Sequence, residues 1–498
     1  MMRVESIELK NFKNVEAGRV DILDTQSGAG IVGIYGQNGS GKTSVVDAFD
    51  CIQRAMLGVE QADNSGDYVG ASGDELGVTI RFVTAGMSGN PEEYAEIQYE
   101  MRCRTDKNNR LRITSEAIRI KPEDGQKRTL IEYKPARQDD DSSDDAQRRV
   151  RAGEYAPKAR WKSILAFDED ARLLFTLAEG ASYAQGASFL FAHEFSSAMG
   201  RFQKACLGSS GQFRPGVPAT VREALEKTVH PLSRVIATLS YFALKNLRVI
   251  STVSTLAVSA NVLHLSTVED ERHKGIPRFL PLDISGPVDL SVQDSEVLSH
   301  TVDTINGVLR ALVPGYELRL RDLGSVVLNA GNEGRRLELM SVRDGVELPF
   351  RRESEGIQKI TAITALLIDV YNNPESCVVV DELDSGVFEF LLGELLEVLS
   401  SRGKGQLIFT AHNLRALETL PAKCLVFTTT NPKKRFVRFK GHRPSNNLRD
   451  QYLRAINLGG QDENVYEQTD RFEIDSAFYR AGHKGEPSFD ELLAQVKG

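Results

Sequence analysis

Apolar and polar residues alternate in "RVESIEL" (3–9), and "GRVDIL" (18–23) continues the pattern, which predicts a pair of β-strands. "GIVGIYG" (30–36) is nearly continuous in apolar character, as in a strand covered on both faces. From Lys42 the period lengthens, and Val45, Val46, Phe49 and Ile52 supply one face of a helix. "VTIRFV", "EYAEIQYEMRCR" and "RITSEAIRIKP" alternate again, broken by Gly, Asn and Pro, and predict antiparallel strands beside the "GIVGIYG" strand. Residues 1–135 thus read as one mostly β unit.

Residues 136–154, "ARQDDDSSDDAQRRVRAGE", place five Asp ahead of three Arg with no apolar core. They read as a surface loop, since nothing fixes the geometry an acidic metal cluster would need. From 155 to 313 the expectation is a mainly helical insertion. A loop is expected at "LGSSGQFRPGVP", and Pro231 marks a kink or boundary inside "TVREALEKTVHPLSRVIATL". In "EVLSHTVDTINGVLRALVPG", Val302, Ile305, Leu309 and Leu312 fall on one helical face and "PG" stops the helix. No sustained heptads appear, which excludes a long coiled-coil arm, and no internal repeat is visible.

Residues 314–430 return to β with "YELRL", "SVVLNA" and "RLELMSV". They then alternate: a helix over 355–371, the strand "SCVVVDE", a helix over 387–399, the strand "GQLIFTA", a short helix after His412, and the strand "CLVFTT". That order predicts a parallel sheet covered by helices. Residues 431–498 form a basic edge and a polar tail, with helix expected over 446–456 and 488–496.

Composition narrows the class. An apolar content of 41% with 26% charged residues fits a folded globular chain of 498 residues, and the net charge of -8 argues against an overall basic coat. Nucleic-acid contact would then need a local stripe. The five cysteines are too scattered for a zinc knuckle, and Cys377 and Cys424 at the edges of apolar runs read as buried thiols. Without a secretory signal or an apolar run of the ~20 residues a membrane span needs, a cytoplasmic location is expected.

The chemistry concentrates in three places. "GQNGSGKTS" (36–44) has the phosphate-loop spacing in Gly36, Gly41, Lys42 and Thr43, with Asn38, Gly39, Ser40 and Ser44 completing the loop. The glycines let backbone N–H groups turn inward onto phosphates, Lys42 meets the β and γ phosphates, and Thr43 can ligate Mg²⁺. "CVVVDE" ends 339 positions beyond Lys42 in Asp381, a second Mg²⁺ partner through water, and in Glu382, placed to polarise attacking water. In "LIFTAHN", His412 follows another parallel strand and is expected at the same carboxyl-end crevice, facing the γ phosphate.

Together, the phosphate loop, the distant "VVVDELDS" and "FTAHN" resemble the ABC-type, AAA-like ATPases of the RecF and chromosome-maintenance (SMC) class. The resemblance covers roughly 1–130 and 315–430. It implies an α/β ABC-type P-loop NTPase head with a mixed parallel core sheet, an N-terminal antiparallel β part and an inserted, mainly helical region. In "NFKNVE" (11–16) it implies that Phe12 and Lys13 border the nucleotide base. "ESEGIQK" (353–359) occupies the signature position. Ser354 and Gly356 match its phosphate-contacting residues, and Glu355 replaces the usual small residue. Arg351 and Arg352 stand ready to assist or to form surface ion pairs. Asp384 and Ser385 fall at the D-loop, whereas the Q-loop is marked only by Gln185 or by His193 and Glu194 of "SFLFAHE".

By this resemblance, one subunit's Ser354–Gly356 helix start caps the γ phosphate held by another subunit, so that ATP joins two heads and hydrolysis parts them. "DENVYEQTDRFEIDSAF" carries acids without a strand for a second metal site, which implies a separately encoded effector. The build is similar to stand-alone ATPases of bacterial anti-phage systems, PARIS- or Septu-like, in which the head holds a nuclease or toxin until a DNA or phage-protein trigger arrives. Two alternatives stand beside this: a RecF-like repair ATPase, with "NPKKRFVRFKGHR" (431–443) meeting DNA, and a scaffold that binds ATP structurally.

Overall fold

The computed structural model describes residues 2–22, 30–84, 94–122, 125–135, 153–251, 262–266, 279–283, 285–328, 331–439, 448–458 and 461–482. The Asp/Arg loop at 136–152, the helix expected over 488–496, and Lys440 and Arg443 of the basic edge lie outside these residues.

Seven strands form an antiparallel sheet in the order β2-β1-β4-β5-β6-β7-β8. They are β1 (Met2–Phe12), β2 (Val15–Asp21), β4 (Leu76–Thr84), β5 (Tyr94–Thr105), β6 (Leu111–Pro122), β7 (Arg128–Lys134) and β8 (Glu154–Ala156). The nucleotide strand β3 (Gly30–Tyr35) leaves this sheet for a second one. There it lies parallel between β17 (Gln406–Thr410) and β18 (Leu425–Thr428). β17 pairs in parallel with β16 (Cys377–Val380), while β19 (Phe436–Val437) closes the far edge antiparallel to β18.

Continuous burial explains the apolar run of β3. Val32 and Ile34 point into one core with the antiparallel sheet and helix α1 (Lys42–Met56), while Ile31 and Tyr35 point into the other. β16 divides the same way, with Cys377 and Val379 on one side and Val378 and Val380 on the other. The second core packs helices α7 (Val292–Leu312), α8 (Glu355–Asn372) and α9 (Glu389–Arg402). Gln406, 1% exposed, fastens the two sheets: its Oε1 accepts from Val4 N at 2.8 Å and its Nε2 donates to Val4 O at 2.7 Å.

Helices dominate 158–246, with α2 (Lys158–Phe167), α3 (Glu169–Gln185), α4 (His193–Cys206), α5 (Ala219–Ala224) and α6 (His230–Tyr241). Pro231 sits in the first turn of α6, directly after a π-helical turn that joins α5 to α6. The mainly helical expectation for 155–313 leaves out several strands. Residues 247–250 form β9, which pairs in parallel with β16 and becomes the other edge of the core sheet. β10 (Val262–Ser266) pairs with β11 (Phe279–Asp283), and β12 (Val288–Ser291) joins the sheet of the following segment. That sheet contains β13 (Tyr316–Val327), β14 (Glu333–Arg343) and β15 (Val346–Pro349). "YELRL" and "SVV" (325–327) thus belong to one long strand, whose register shifts between Asp322 and Ser325. Asn306 of α7 brackets Leu318, donating to its carbonyl at 2.8 Å and accepting from its amide at 2.7 Å.

Toward the C-terminus, α10 (Ala416–Thr419) follows His412 and α11 (Leu448–Leu458) packs through Tyr452 on Phe427. α12 (Arg471–Gly482), which no sequence pattern foretold, has no buried residue. Among the described residues no helix is long and apolar enough to cross a membrane.

Candidate functional site

β3 delivers the chain to Gly36, and the turn that follows is pressed against β18. A Cβ on Gly36 would stand 1.6 Å from Thr428 Oγ1, so any other residue would have to displace the Thr428 side chain. Ser40 Oγ lies 2.6 Å from both Gln37 O and Thr428 Oγ1, and Gly41, at φ 94°, caps α1. Lys42 Nζ donates to Gly36 O at 2.8 Å and to Gln37 O at 3.0 Å, which holds the ammonium inside the loop. Burial pulls the Lys42 pKa down, while Asp381, Glu382 and Asp384 oppose that pull.

The acid turn meets this loop from the end of β16. Asp381 is fully buried, and its Oδ1 accepts from Thr410 Oγ1 at 2.5 Å, with Thr43 Oγ1 at 3.4 Å. Glu382 adopts φ 49°, rare for a residue with a Cβ, and its amide donates to Thr410 Oγ1 at 2.8 Å. Asp384 Oδ2 accepts from His412 N at 2.8 Å and Asn413 N at 2.6 Å, tying the ends of β16 and β17 together.

A cleft of about 390 Å³ results, lined by Asn38, Gly39, Lys42, Thr43, Asp381, Glu382, Thr410 and His412. Residues from three distant stretches thus face one space. Gly36, Ser40, Gly41 and the buried Ser44 shape the loop without lining this cleft. The hard oxygens of Thr43 and Asp381 suit Mg²⁺, which takes few protein ligands and completes its shell with phosphate and water. Among the described residues no cluster of three or more His, Cys, Asp or Glu offers another metal site.

Other expected residues fall elsewhere. Phe12 has no exposed surface and packs on Tyr68 at 5.4 Å between ring centroids, which corrects its expected place beside a base. Its neighbour Lys13 is half-buried, bonds Asp47 Oδ2 at 2.5 Å and lies over the Tyr68 ring. Ser354 caps α8 through Ile357 N and is exposed, and neither it nor Gly356 lines the cleft. Gly356 instead abuts the acid turn, where a Cβ would come within 2.2 Å of Gly386 O. Arg351 pairs with Glu338 at 3.0 Å, the surface ion pair rather than the phosphate contact. Gln185, His193 and Glu194 do not line the cleft either. The neighbouring Phe189 and Leu190 amides serve the buried Glu116 carboxylate.

Of the four described cations of the basic edge, three are engaged within the chain. Arg435 is buried, donating to Thr429 O and Asn14 O at 2.6 Å each, and Asn14 in turn donates to Gly39 O of the phosphate loop. Lys434 pairs with Glu463, and Arg438 donates to Asp21 O. Phe439 stacks on Phe427 at 4.0 Å. Sequence reading passed over two residues that order the site. Thr410 was legible as a lone polar residue between Phe409 and Ala411 at a strand's end. Lys359 was legible as a cation entering the otherwise apolar face of "IQKITAITALLI".

With this geometry in place, comparison with known proteins is informative. Residues 6–190 match the AAA domain family. The DNA replication and repair protein RecF of Chlorobium luteolum is 31% identical over 93 residues, 16% of this chain and 24% of that protein. The chain therefore spans about a quarter of the length of the curated relative it matches. Among solved structures, the Smc head domain of Pyrococcus furiosus bound to the C-terminal domain of ScpA is 14% identical. It aligns over 88% of this chain and 96% of its own, with a TM-score of 0.40. The SMC head domain from Thermotoga maritima is 12% identical over 88% and 99% of the two chains, with a TM-score of 0.34. On its phosphate loop, its acidic strand end and its AAA-domain match, the chain has the fold of a P-loop ATPase head, with an AAA domain over residues 6–190.

Proposed function

We propose that the chain hydrolyses ATP with Mg²⁺ in a cleft completed by a second copy of the head, and that the cycle acts on DNA. The carrying observation is a division of parts: the phosphate loop, Asp381, Glu382 and His412 share one cleft, while the Ser354 helix start is exposed outside it. A helix N-terminus attracts phosphate, and here it is free to serve a neighbour's nucleotide. Lys42 would leave the Gly36 and Gln37 carbonyls for the phosphates. Glu382 would orient and polarise the water, with His412 facing the same space. Thr43 and Asp381 would hold Mg²⁺, which when bound offsets charge on the phosphates.

The RecF relative is described as a DNA replication and repair protein, which favours a DNA-linked output over release of an antiviral effector. The test is Glu382→Gln in the full chain with ATP and Mg²⁺. The variant should bind ATP, cease hydrolysis and accumulate as a dimer in light scattering. Wild-type turnover in E382Q would end this reading. Duplex binding that tightens with ATP and weakens with salt would support the output, and ATP-independent binding would count against it.

A further inference from the structure

We propose that Lys359 is a positioning residue for hydrolysis, holding Glu382 in its left-handed turn and coupling the exposed start of α8 to that acid. The inference rests on the ATPase reading above.

Lys359 is 7% exposed, one turn past Gly356 on α8. Its Nζ donates to the backbone carbonyl of Glu382. Buried lysines are rare unless paired, and Lys359 is the one charged residue among the buried positions of this helix, beside Gln358, Ile360, Thr361 and Ile363. A position that needed only packing would not call for a charged group whose burial costs desolvation. Burial lowers the Lys359 pKa, and the three acids Asp384, Glu382 and Asp381 oppose it in that order. Among the described residues, Asp384 Oδ1 is buried without a hydrogen-bond donor, and the Lys359 charge attracts it through space.

Glu382 gives this contact its purpose. At φ 49° its backbone is in a conformation that the surroundings must impose on any residue with a Cβ. Two side chains brace it: Thr410 accepts from the Glu382 amide, and Lys359 donates to its carbonyl, which also accepts from Ser385 N at 3.0 Å within the turn. The backbone is pinned at both ends while the residue lines the cleft. The Gly356–Gly386 contact fixes the same helix to the same turn one helical turn earlier. A group docking on Ser354 therefore bears on a helix that is fastened to the water-polarising acid.

Phosphate release, affinity for a fluorescent ATP analogue and Tm, measured on full-length K359M, K359R and E382Q, test this. K359M should bind nucleotide within about twofold of wild type and lose at least about tenfold in kcat, with K359R recovering part through its own N–H donors. Wild-type kcat in K359M overturns the proposal. So does a parallel fall in affinity, Tm and kcat that K359R leaves unrepaired, the mark of a merely structural lysine. If K359M does not fold, K359Q, which keeps a donor without the charge, is judged by the same criteria. The control separates two failures. Turnover in E382Q removes the ATPase reading itself, whereas an inactive E382Q beside a fully active K359M removes only the role of Lys359.

Discussion

The Thr410 hydroxyl donates to Asp381 Oδ1 at 2.5 Å and accepts from the Glu382 amide at 2.8 Å, so one side chain on β17 sets both acids at the end of β16. Thr410→Val keeps the shape but removes the donor and the acceptor. A hydrogen bond to a charged group contributes about 1.5–3 kcal/mol, so hydrolysis should fall by roughly 10- to 100-fold while Thr410→Ser retains most of it. Phosphate-release rates for the two variants decide the matter. Equal rates would show that the acids position themselves.

The phosphate loop makes a steric prediction. A methyl at Gly36 would meet Thr428 Oγ1 at 1.6 Å and Thr428 Cβ at 3.0 Å. Gly36→Ala should therefore abolish nucleotide binding and cost about 1–3 kcal/mol of stability, the usual range for overpacking. Adding Thr428→Ala removes the nearer atom and should restore part of the loss. Denaturant titration of the single and double variants measures that coupling, and strict additivity would refute the clash.

How much of this could be read from the sequence depended on whether neighbours in the chain carried the signal. β3, the phosphate loop and α1 were legible because an apolar strand, a Gly-rich turn and an amphipathic face follow one another locally. Asp381, Glu382 and His412 were legible for a similar reason, each ending a short apolar run. β9 was missed because "LRVI" follows directly on a helix and is made a strand only by pairing with β16, over a hundred residues later. Phe12 was misplaced because an exposed aromatic and a core aromatic look alike in sequence. Arg435 looked like a DNA contact because charge is visible in sequence and burial is not. Its partners, Asn14 and Thr429, come from opposite ends of the chain.

Gln406 offers a test of the joint between the sheets. Its amide satisfies both the N–H and the C=O of Val4, all of them buried. Gln406→Leu conserves bulk but leaves two backbone groups without partners, at about 1–3 kcal/mol each. Chemical denaturation should show a loss of about 2–5 kcal/mol. A loss below about 1 kcal/mol would mean that the sheets are held by apolar packing alone.

Glu116 makes a prediction about pH. It is 1% exposed, and burial pushes its carboxyl above the ordinary 4.5. Donors from Ser188 and Tyr99 at 2.6 Å, Phe189 N at 2.8 Å and Leu190 N at 3.3 Å pull it back without cancelling the rise. In the window between 4.5 and the raised folded value, the native protein holds a proton that the unfolded chain releases. The stabilisation from protonating Glu116 is thus complete below the ordinary value and is lost as pH rises through the folded one. Glu116→Gln removes that titration while its carbonyl can still accept from the Phe189 and Leu190 amides, and the Ser188 and Tyr99 hydroxyls can rotate to accept from its NH₂. Thermal melts at about pH 5 and about pH 8 should therefore show E116Q gaining on wild type as pH rises. Glu116→Ala, which strands four donors, should lose about 3 kcal/mol at either pH. A constant difference between E116Q and wild type would mean that Glu116 stays ionised in the fold throughout.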